Sequence, residues 1–217
     1  MKQRNKQKNK QKRIFLLTAM LMFAFACFRF NTIDAQAASK YTIYVNRKTN
    51  LVNVTDSRTG KLVKAMYCST GKNYRTISGT YNTTAKYKWR ALIHGVYGQY
   101  STRIHGPYLF HSVPYYSVNK SKVSTKEYNK LGLQASAGCI RLAVTDAKWI
   151  YDNCRIGTKV VIGESRTLKK PARPKVKVST KRKAWWDPTD PDTRNPYRPK
   201  LTLKKKGKRT IAYGSTF

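Results

Sequence analysis

A single cysteine, Cys139, lies in a segment suited to nucleophilic chemistry. Within Ser136–Leu142 it follows an Ala-Gly pair and precedes an Ile-Arg pair. A cysteine attacks as a thiolate, so it needs a base, positive charge or backbone donors nearby. Small neighbours such as Ala137 and Gly138 would admit a substrate carbonyl and leave amides for an oxyanion hole. In an extended segment Arg141 shares a face with Cys139, where it would bind a carboxylate or favour the thiolate.

Three histidines between residues 94 and 111 are the candidate bases for this cysteine. His111 lies in Tyr108–Ser112, a strand-like segment that ends at a polar stop. His105 and His94 stay open as alternatives. Alternation along a strand places His111 on one face, with Leu109 and Pro107, and puts Phe110 and Tyr108 on the other. His105 has the parity of His111 and would line the same pocket.

Other interpretations of these residues receive less support. The segment around Cys139, taken by itself, is explained equally well by a buried core thiol, since free cysteines are among the most buried residues. A cysteine and a histidine together favour catalysis. Ser101 and Ser112 have no Asp nearby in sequence for a Ser-His-Asp site, and no His/Cys/Asp cluster has the spacing of a zinc site.

The elements that must position these residues are mostly strands. β-Branched and aromatic runs predict strands at 41–45, 51–54, 62–68 and 159–162, with further strands around 77–93 and near the histidines. Residues 115–135 form a polar connection. One helix is predicted over Thr145–Asn153, capped by Thr145 or Asp146 and followed by Gly157. The sequence therefore predicts a mainly β domain over residues 40–164.

The charge and the N-terminus predict export. The 217 residues contain 45 Lys and Arg against 9 Asp and Glu, a net charge of +36. A basic segment at 1–13, an apolar run from Ile14 to Phe28 and Ala35-Gln36-Ala37 match a signal peptide cleaved after Ala37. The run is short for a membrane span, although an uncleaved anchor stays open. An exported basic chain meets anionic wall polymers or lipid, so nucleic acid is not the expected partner.

Cleavage after Ala37 would leave Cys68, Cys139 and Cys154, since Cys27 departs with the signal. An odd number of cysteines outside the cell indicates at least one free thiol. A Cys68–Cys154 bridge would leave Cys139 unpaired, although spacing does not establish that bridge. Beyond Glu164 the composition becomes rich in Lys, Arg and Pro, which predicts a flexible basic tail at 165–217.

The order of these motifs resembles the L,D-transpeptidase catalytic domain, the YkuD-type fold. The resemblance covers roughly residues 40–163. Its landmarks are Ser69–Lys72, Thr76–Tyr81, the His-Ser pair at 111–112, Ser136–Leu142, Asp146-Ala147 and Gly157–Ile162. It implies a β-sandwich with one or two short helices.

The resemblance also implies the chemistry. Cys139 would attack the amide after the third residue of a peptidoglycan stem tetrapeptide, D-Ala would leave, and the acyl group would pass to a neighbouring stem. His111 would be the base, oriented by the backbone carbonyl of Ser112, without a required carboxylate. Amides near Gly138 and Cys139 would form the oxyanion hole. Arg141 would shape the site, and the further oxyanion or substrate contacts would be Ser136, His105 and Tyr108.

The function expected is a secreted, wall-associated L,D-transpeptidase that forms 3-3 cross-links during cell wall biogenesis and is acylated by carbapenems. No metal or organic cofactor is implied. The basic tail would bind teichoic acid and be dispensable for chemistry, and membrane contact would require an uncleaved signal. The alternatives are an L,D-carboxypeptidase and a non-catalytic cationic wall-binding protein. Two departures from the family stand out. Residues 115–135 look like an insertion that would act as a lid, contact substrate or form only a surface loop, and Ala137 replaces a common histidine.

Overall fold

The computed structural model describes residues 39–172 and 176–197. The predicted signal peptide, including Cys27 and the cleavage site at Ala37, lies outside the described residues. The strands are β1 (Tyr41–Asn46), β2 (Leu51–Asp56), β3 (Leu62–Ser69), β4 (Gly79–Asn82), β5 (Ala85–Ala91), β6 (Tyr97–His105), β7 (Tyr108–Ser112), β8 (Val123–Ser124), β9 (Ile140–Leu142), β10 (Lys159–Gly163) and β11 (Ala184–Trp185). The helices are α1 (Thr125–Tyr128) and α2 (Val144–Asn153).

Nine strands form one sheet in the order β4-β10-β1-β2-β3-β9-β7-β6-β5. Pairing is antiparallel except between β1 and β10 and between β7 and β9. The sheet curls so that its two halves face each other around one core. That core joins Ile43 and Val52 of the first half to Ile104 and Phe110 of the second, with Ile150 of α2 packed among them. The predicted mainly β sandwich is confirmed.

The apolar pattern explains why these segments pair. Alternate residues of β1, Ile43 and Val45, enter the core, as do Val52 and Val54 of β2. The other face of β2 is covered by the chain that follows β10. There the Asn53 side chain donates to the Lys169 carbonyl at 2.8 Å and accepts from its amide at 2.9 Å. Polar groups on that face therefore keep hydrogen-bond partners although they are buried.

Residues 115–135 are more structured than a polar connection. They contain β8 and α1, and they build a second apolar cluster. Ser124 caps α1 by accepting a hydrogen bond from the Glu127 amide at 3.3 Å. The buried members of the cluster are Val113, Tyr115, Val123, Tyr128, Leu131, Ala143 and Val178. Because Val178 comes from beyond residue 164, this cluster is completed by the C-terminal segment.

The described part of the predicted tail, residues 176–197, packs on the domain, which corrects the expectation of a flexible segment there. We call it the strap. Its strand β11 pairs antiparallel with β8. The Asn129 side chain binds the backbone of Val178 twice, at 2.8 Å each. Lys120 pairs with Asp190 and Asp192 at 3.5 and 3.0 Å. The strap therefore holds the 115–135 insertion in place.

The strap also caps α2. The fully buried carboxylate of Asp187 accepts from the Val144 amide, in the first turn of the helix, at 2.9 Å. Its other oxygen accepts from the Thr189 amide and hydroxyl at 2.7 Å each. Burial raises the pKa of Asp187 to about 6, so it is charged at neutral pH. The residue before the helix, Ala143, has no side chain that could cap it.

Cys68 and Cys154 are both buried and free, so the bridge considered from the sequence is not formed. Burial raises the pKa of both thiols, that of Cys154 to about 12. Both thiols therefore belong to the core. The third described cysteine, Cys139, is the candidate nucleophile. Among residues 39–172 and 176–197, no helix is long and apolar enough to cross a membrane.

Replacing Asp187 with Ala should lower the free energy of unfolding by about 2 kcal/mol, because it removes a helix cap and leaves buried donors unpaired. Asp152→Ala is the matched control. Asp152 pairs with Lys148 on the exposed side of the same helix, so its loss should cost about 0.5 kcal/mol or less. Urea unfolding of both variants measures the difference. Equal losses would show that the strap does not stabilise the helix.

Candidate active site

Parallel pairing of β7 with β9 assembles the candidate active site. Phe110 pairs with Ile140, and His111 pairs with Arg141. Side chains in register on neighbouring strands point to the same face. Phe110 and Ile140 are fully buried in the core, so His111 and Arg141 lie on the opposite face. Cys139 directly precedes Ile140 and therefore shares the face of His111 and Arg141.

These residues line a cavity of about 500 Å³. Ser136, Gly138 and Tyr108, which the sequence analysis selected, also line it. Ser112 is not among the lining residues and is fully buried next to His111. The other lining residues are Arg90, Ala91, Leu92, Ile93, His94, Val96, Arg103, Pro107, Leu109, Pro114 and Ala137.

His105 does not line this cavity, contrary to its predicted position. Its exposed ring stacks on Tyr81, with ring centroids 5.2 Å apart. The parity argument fails because the register between β6 and β7 shifts between Arg103 and His105, and a turn separates His105 from β7. His94 does line the cavity, but it is exposed in a 3-10 turn with a positive φ of 64°. His111 is 2% exposed and is held by its neighbours.

The hydrogen bond of His111 determines its tautomer. Nδ1 lies 2.5 Å from the carbonyl oxygen of Ser112. A carbonyl only accepts, so Nδ1 carries the proton and Nε2 keeps its lone pair. The Ser112 side chain is itself held, because Oγ accepts from the Gln99 amide at 2.8 Å and donates to the Val113 carbonyl at 3.0 Å. The imidazole is thus oriented as a proton acceptor without a carboxylate.

Gly98 on β6 makes room for this imidazole. A Cβ built at Gly98 would lie 2.9 Å from Cβ and 3.0 Å from Cγ and Nδ1 of His111. Real Cβ atoms do not approach other carbon atoms so closely, so only glycine leaves the ring in place. A glycine inside a strand indicates that another group approaches the backbone closely. The sequence does not identify that group as the His111 side chain.

The backbone around Cys139 is held by two hydroxyls. Ser136 Oγ donates to the Cys139 carbonyl at 2.6 Å and accepts from the Gly138 amide at 3.0 Å. Thr76 Oγ1 donates to the Gly138 carbonyl at 2.7 Å and accepts from the Gly71 amide at 2.7 Å. The Gly138 amide is therefore engaged by Ser136, which leaves the Cys139 amide as the better candidate oxyanion donor.

Gly138 itself has a φ of +153°, a conformation that side chains disfavour. A Cβ at this position would also lie 3.0 Å from the ring of Tyr108. The Tyr108 ring therefore packs against the backbone at Gly138, directly before Cys139. The neighbour of Tyr108 here is the protein backbone, and its role as a substrate contact stays a prediction.

Burial keeps both reacting groups neutral at pH 7. It lowers the pKa of His111 to about 4, a shift that the Ser112 hydrogen bond opposes and the charge of Arg141 reinforces. Burial also raises the pKa of the Cys139 thiol, although the Leu109 backbone and the charges of Arg141 and Arg103 oppose this shift. The thiol donates to the Pro107 carbonyl at 3.6 Å. The resting pair is a thiol and a neutral imidazole, not an ion pair.

Arg141 has a carboxylate partner that the sequence analysis missed. Its Nη1 donates to Glu127 of α1 at 2.5 Å and to the Ala135 carbonyl at 3.1 Å. Burial opposes the ionisation of Glu127, but Lys130 and Arg141 outweigh it and lower its pKa. The 115–135 insertion is therefore more than a surface loop, because its Glu127 binds a residue of the cavity wall.

The described residues contain no group of three His, Cys, Asp or Glu side chains placed to hold a metal ion. This arrangement of side chains is suited to nucleophilic catalysis. It offers a thiol, a base with a free lone pair, an amide donor and cationic walls within one cavity.

The chain is similar to known proteins over most of its described domain. Residues 40–162 match the family model for the L,D-transpeptidase catalytic domain, YkuD. Over 62 residues the chain is 53% identical to YciB of Bacillus subtilis (strain 168), provisionally named an L,D-transpeptidase. That match covers 29% of this chain and 31% of YciB, so it spans about a third of the length of that relative.

Two solved structures are similar over part of their length. One is a fused Zn-dependent amidase/peptidase and peptidoglycan-binding protein from Clostridium acetobutylicum, 32% identical, with a TM-score of 0.45. The match covers 57% of this chain and 51% of that one. The other is an L,D-transpeptidase from Mycobacterium smegmatis, 21% identical, with a TM-score of 0.47 and coverage of 57% and 58%.

Replacing Gly98 with Ala should slow acylation of Cys139 by roughly ten- to a hundredfold, because the new methyl group displaces the His111 ring. Gly163→Ala is the matched control, since a Cβ there has nothing within 4 Å. The measurement is the rate of carbapenem adduct formation by intact mass, with circular dichroism to show that both variants are folded. Equal rates in the two variants would mean that the position of His111 does not limit acylation.

Proposed function

Because the chain belongs to the L,D-transpeptidase catalytic-domain family, we propose that it is a peptidoglycan L,D-transpeptidase that forms 3-3 cross-links through a cysteine acyl-enzyme. The residues that carry the proposal are Cys139 and His111, with Ser112 as the positioning residue. Its substrate would be a stem tetrapeptide, and its acceptor the side-chain amine of a neighbouring stem.

In the proposed acylation, Cys139 Sγ attacks the carbonyl carbon of the third residue. His111 Nε2 takes the thiol proton as the S–C bond forms, since thiol and imidazole both start neutral. The negative charge that develops on the carbonyl oxygen is stabilised by the Cys139 amide. When the C–N bond breaks, the imidazolium gives its proton to the amine of the departing D-Ala. A thioester on Cys139 remains.

In the second half, the acceptor amine attacks the thioester carbonyl. His111 Nε2 accepts a proton from that amine and returns it to the sulfur as the C–S bond breaks. The enzyme regains its starting state, and a new amide joins the third residues of two stems. If water replaced the amine, the same steps would give a carboxypeptidase.

One observation supports this assignment above the others: the hydrogen bond between His111 Nδ1 and the Ser112 carbonyl, in a cavity shared with Cys139. It gives a buried imidazole one defined tautomer with the accepting nitrogen free. A structural histidine would not need to lie on the same face of the sheet as a cysteine at the wall of one open cavity. A non-catalytic wall-binding protein would not need the pair at all.

Cys139→Ala should lose all turnover of a stem tetrapeptide and the carbapenem adduct, whereas Cys154→Ala, which removes a buried thiol, should keep both. The assay incubates the tetrapeptide with and without an acceptor amine and identifies the products by mass spectrometry. Cross-linked dimer would support the transpeptidase, and tripeptide alone would identify the carboxypeptidase. No product and no adduct from the folded wild type would overturn both enzyme assignments.

The N-terminal segment and the net charge are the basis for a proposed location of the protein outside the cytoplasm. An N-terminal segment that resembles a signal peptide and a net charge of +36 support export to an envelope with anionic polymers. Residues 198–217, beyond the strap, add seven basic residues and no acid: Arg198, Lys200, Lys204, Lys205, Lys206, Lys208 and Arg209. We propose that this stretch contributes to retention on teichoic acid, in place of the whole tail from residue 165.

Changing these seven basic residues to Gln should release the protein from purified walls at lower salt, because long-range attraction to polyanions is screened by ions. The control changes the five lysines to Arg, which keeps the charge. Co-sedimentation with walls over a salt series measures retention. Identical release curves for the two variants would remove this stretch as a wall-binding element.

A further inference from the structure

The cavity is lined by cations that the proposed catalytic steps do not use. Its lining contains Arg90, Arg103 and Arg141 and not one Asp or Glu. The charge of Arg141 is already balanced by Glu127 at 2.5 Å. Arg90 and Arg103 form no ion pair with any described carboxylate. Two uncompensated guanidinium groups beside a nucleophile indicate an anionic ligand.

A tyrosine holds both guanidinium groups in place. Arg90 and Arg103 lie over the ring of Tyr87, with their Cζ atoms 4.9 and 5.7 Å from its centroid. The Arg103 contact crosses from β6 to β5, where Tyr87 pairs with Ser101, whereas Arg90 and Tyr87 both lie on β5. Cation–π contacts and stacking orient a guanidinium without using its N–H groups. The two arginines and Tyr87 form what we call the arginine shelf.

Arg103 is the more buried of the two arginines and keeps donors free. It is half-buried, its Nη1 donates to the Gly106 carbonyl, and its Nη2 lies 3.5 Å from the Tyr87 hydroxyl. A guanidinium has five N–H donors, so three remain. Arg103 is also close enough to Cys139 for its charge to lower the pKa of that thiol. A ligand group bound by Arg103 would therefore lie next to the reacting carbonyl.

We propose that the arginine shelf is a carboxylate-binding subsite that selects acyl donors with a free carboxylate on the third residue. The inference rests on the proposed function and adds the substrate class to it. The carbonyl attacked by Cys139 belongs to the third residue, and Arg103 lines the same cavity as Cys139, so the side chain of that residue is the proposed ligand of the shelf. A planar carboxylate matches the fork of a guanidinium, whereas the corresponding carboxamide lacks the charge and one of the two acceptors.

The test compares two donor tetrapeptides with diaminopimelate as the third residue, its side-chain carboxylate either free or amidated. D-Alanine release gives kcat/KM for each peptide. Wild type should prefer the free carboxylate by roughly ten- to a hundredfold, the effect of one charge-assisted bidentate contact. Arg103→Gln should bring this preference close to one, and Arg90→Gln should reduce it. Arg103→Lys should retain only part of it, because an ammonium lacks the fork.

Arg58→Gln is the matched control, since it changes the net charge of this basic chain equally at an exposed turn outside the cavity. Its donor preference should equal that of wild type. Equal use of both donors by wild type, or a preference that survives in the Arg90→Gln/Arg103→Gln double variant, would overturn the subsite. If neither donor released D-alanine, the proposed function itself would be overturned. The failure of the subsite and the failure of the function are therefore distinguishable.

Discussion

The parallel pairing of β7 with β9 is the constraint on which the site depends. It joins two short strands of distant sequence, and its register puts Phe110 and Ile140 in the core. The opposite face then carries His111, Arg141 and the adjacent Cys139. A shift of one residue would send the histidine into the core and the phenylalanine into the cavity. The same hydrophobic contacts that hold the fold therefore also select which side chains line the cavity.

The chemistry of the site follows from burial more than from charge. Burial favours the neutral forms of both His111 and Cys139, and the Ser112 carbonyl then decides which imidazole nitrogen is free. Two glycines leave the space that this arrangement needs. A Cβ at Gly98 would collide with the His111 imidazole, and a Cβ at Gly138, beside Cys139, would collide with the Tyr108 ring. Arg141 is paired with Glu127, whereas Arg90 and Arg103 of the cavity lining form no ion pair with a described carboxylate.

The strap changes how the basic C-terminal region is understood. Asp187 caps the helix that follows β9, and the Lys120 and Asn129 contacts bind the strap to the insertion. The insertion in turn supplies Glu127, the partner of Arg141. Three segments that are far apart in sequence thus form one support for the cavity wall. No strap residue lines the cavity, so the strap supports the cavity wall only through the insertion and the helix.

The sequence by itself determined the local elements, since β-branched alternation and the motif around Cys139 require no knowledge of distant contacts. It predicted the mainly β fold, helix α2 and a cavity that contains Cys139 and His111. It could not place His105, because a register shift and a turn break the parity on which that prediction relied. Nor could it find Glu127, Gly98 or the arginine shelf, whose roles depend on neighbours in other segments. The strap was hidden for the same reason: its composition indicates solvation, but Val178 and Asp187 find partners only when the folded domain offers an apolar cluster and an uncapped helix.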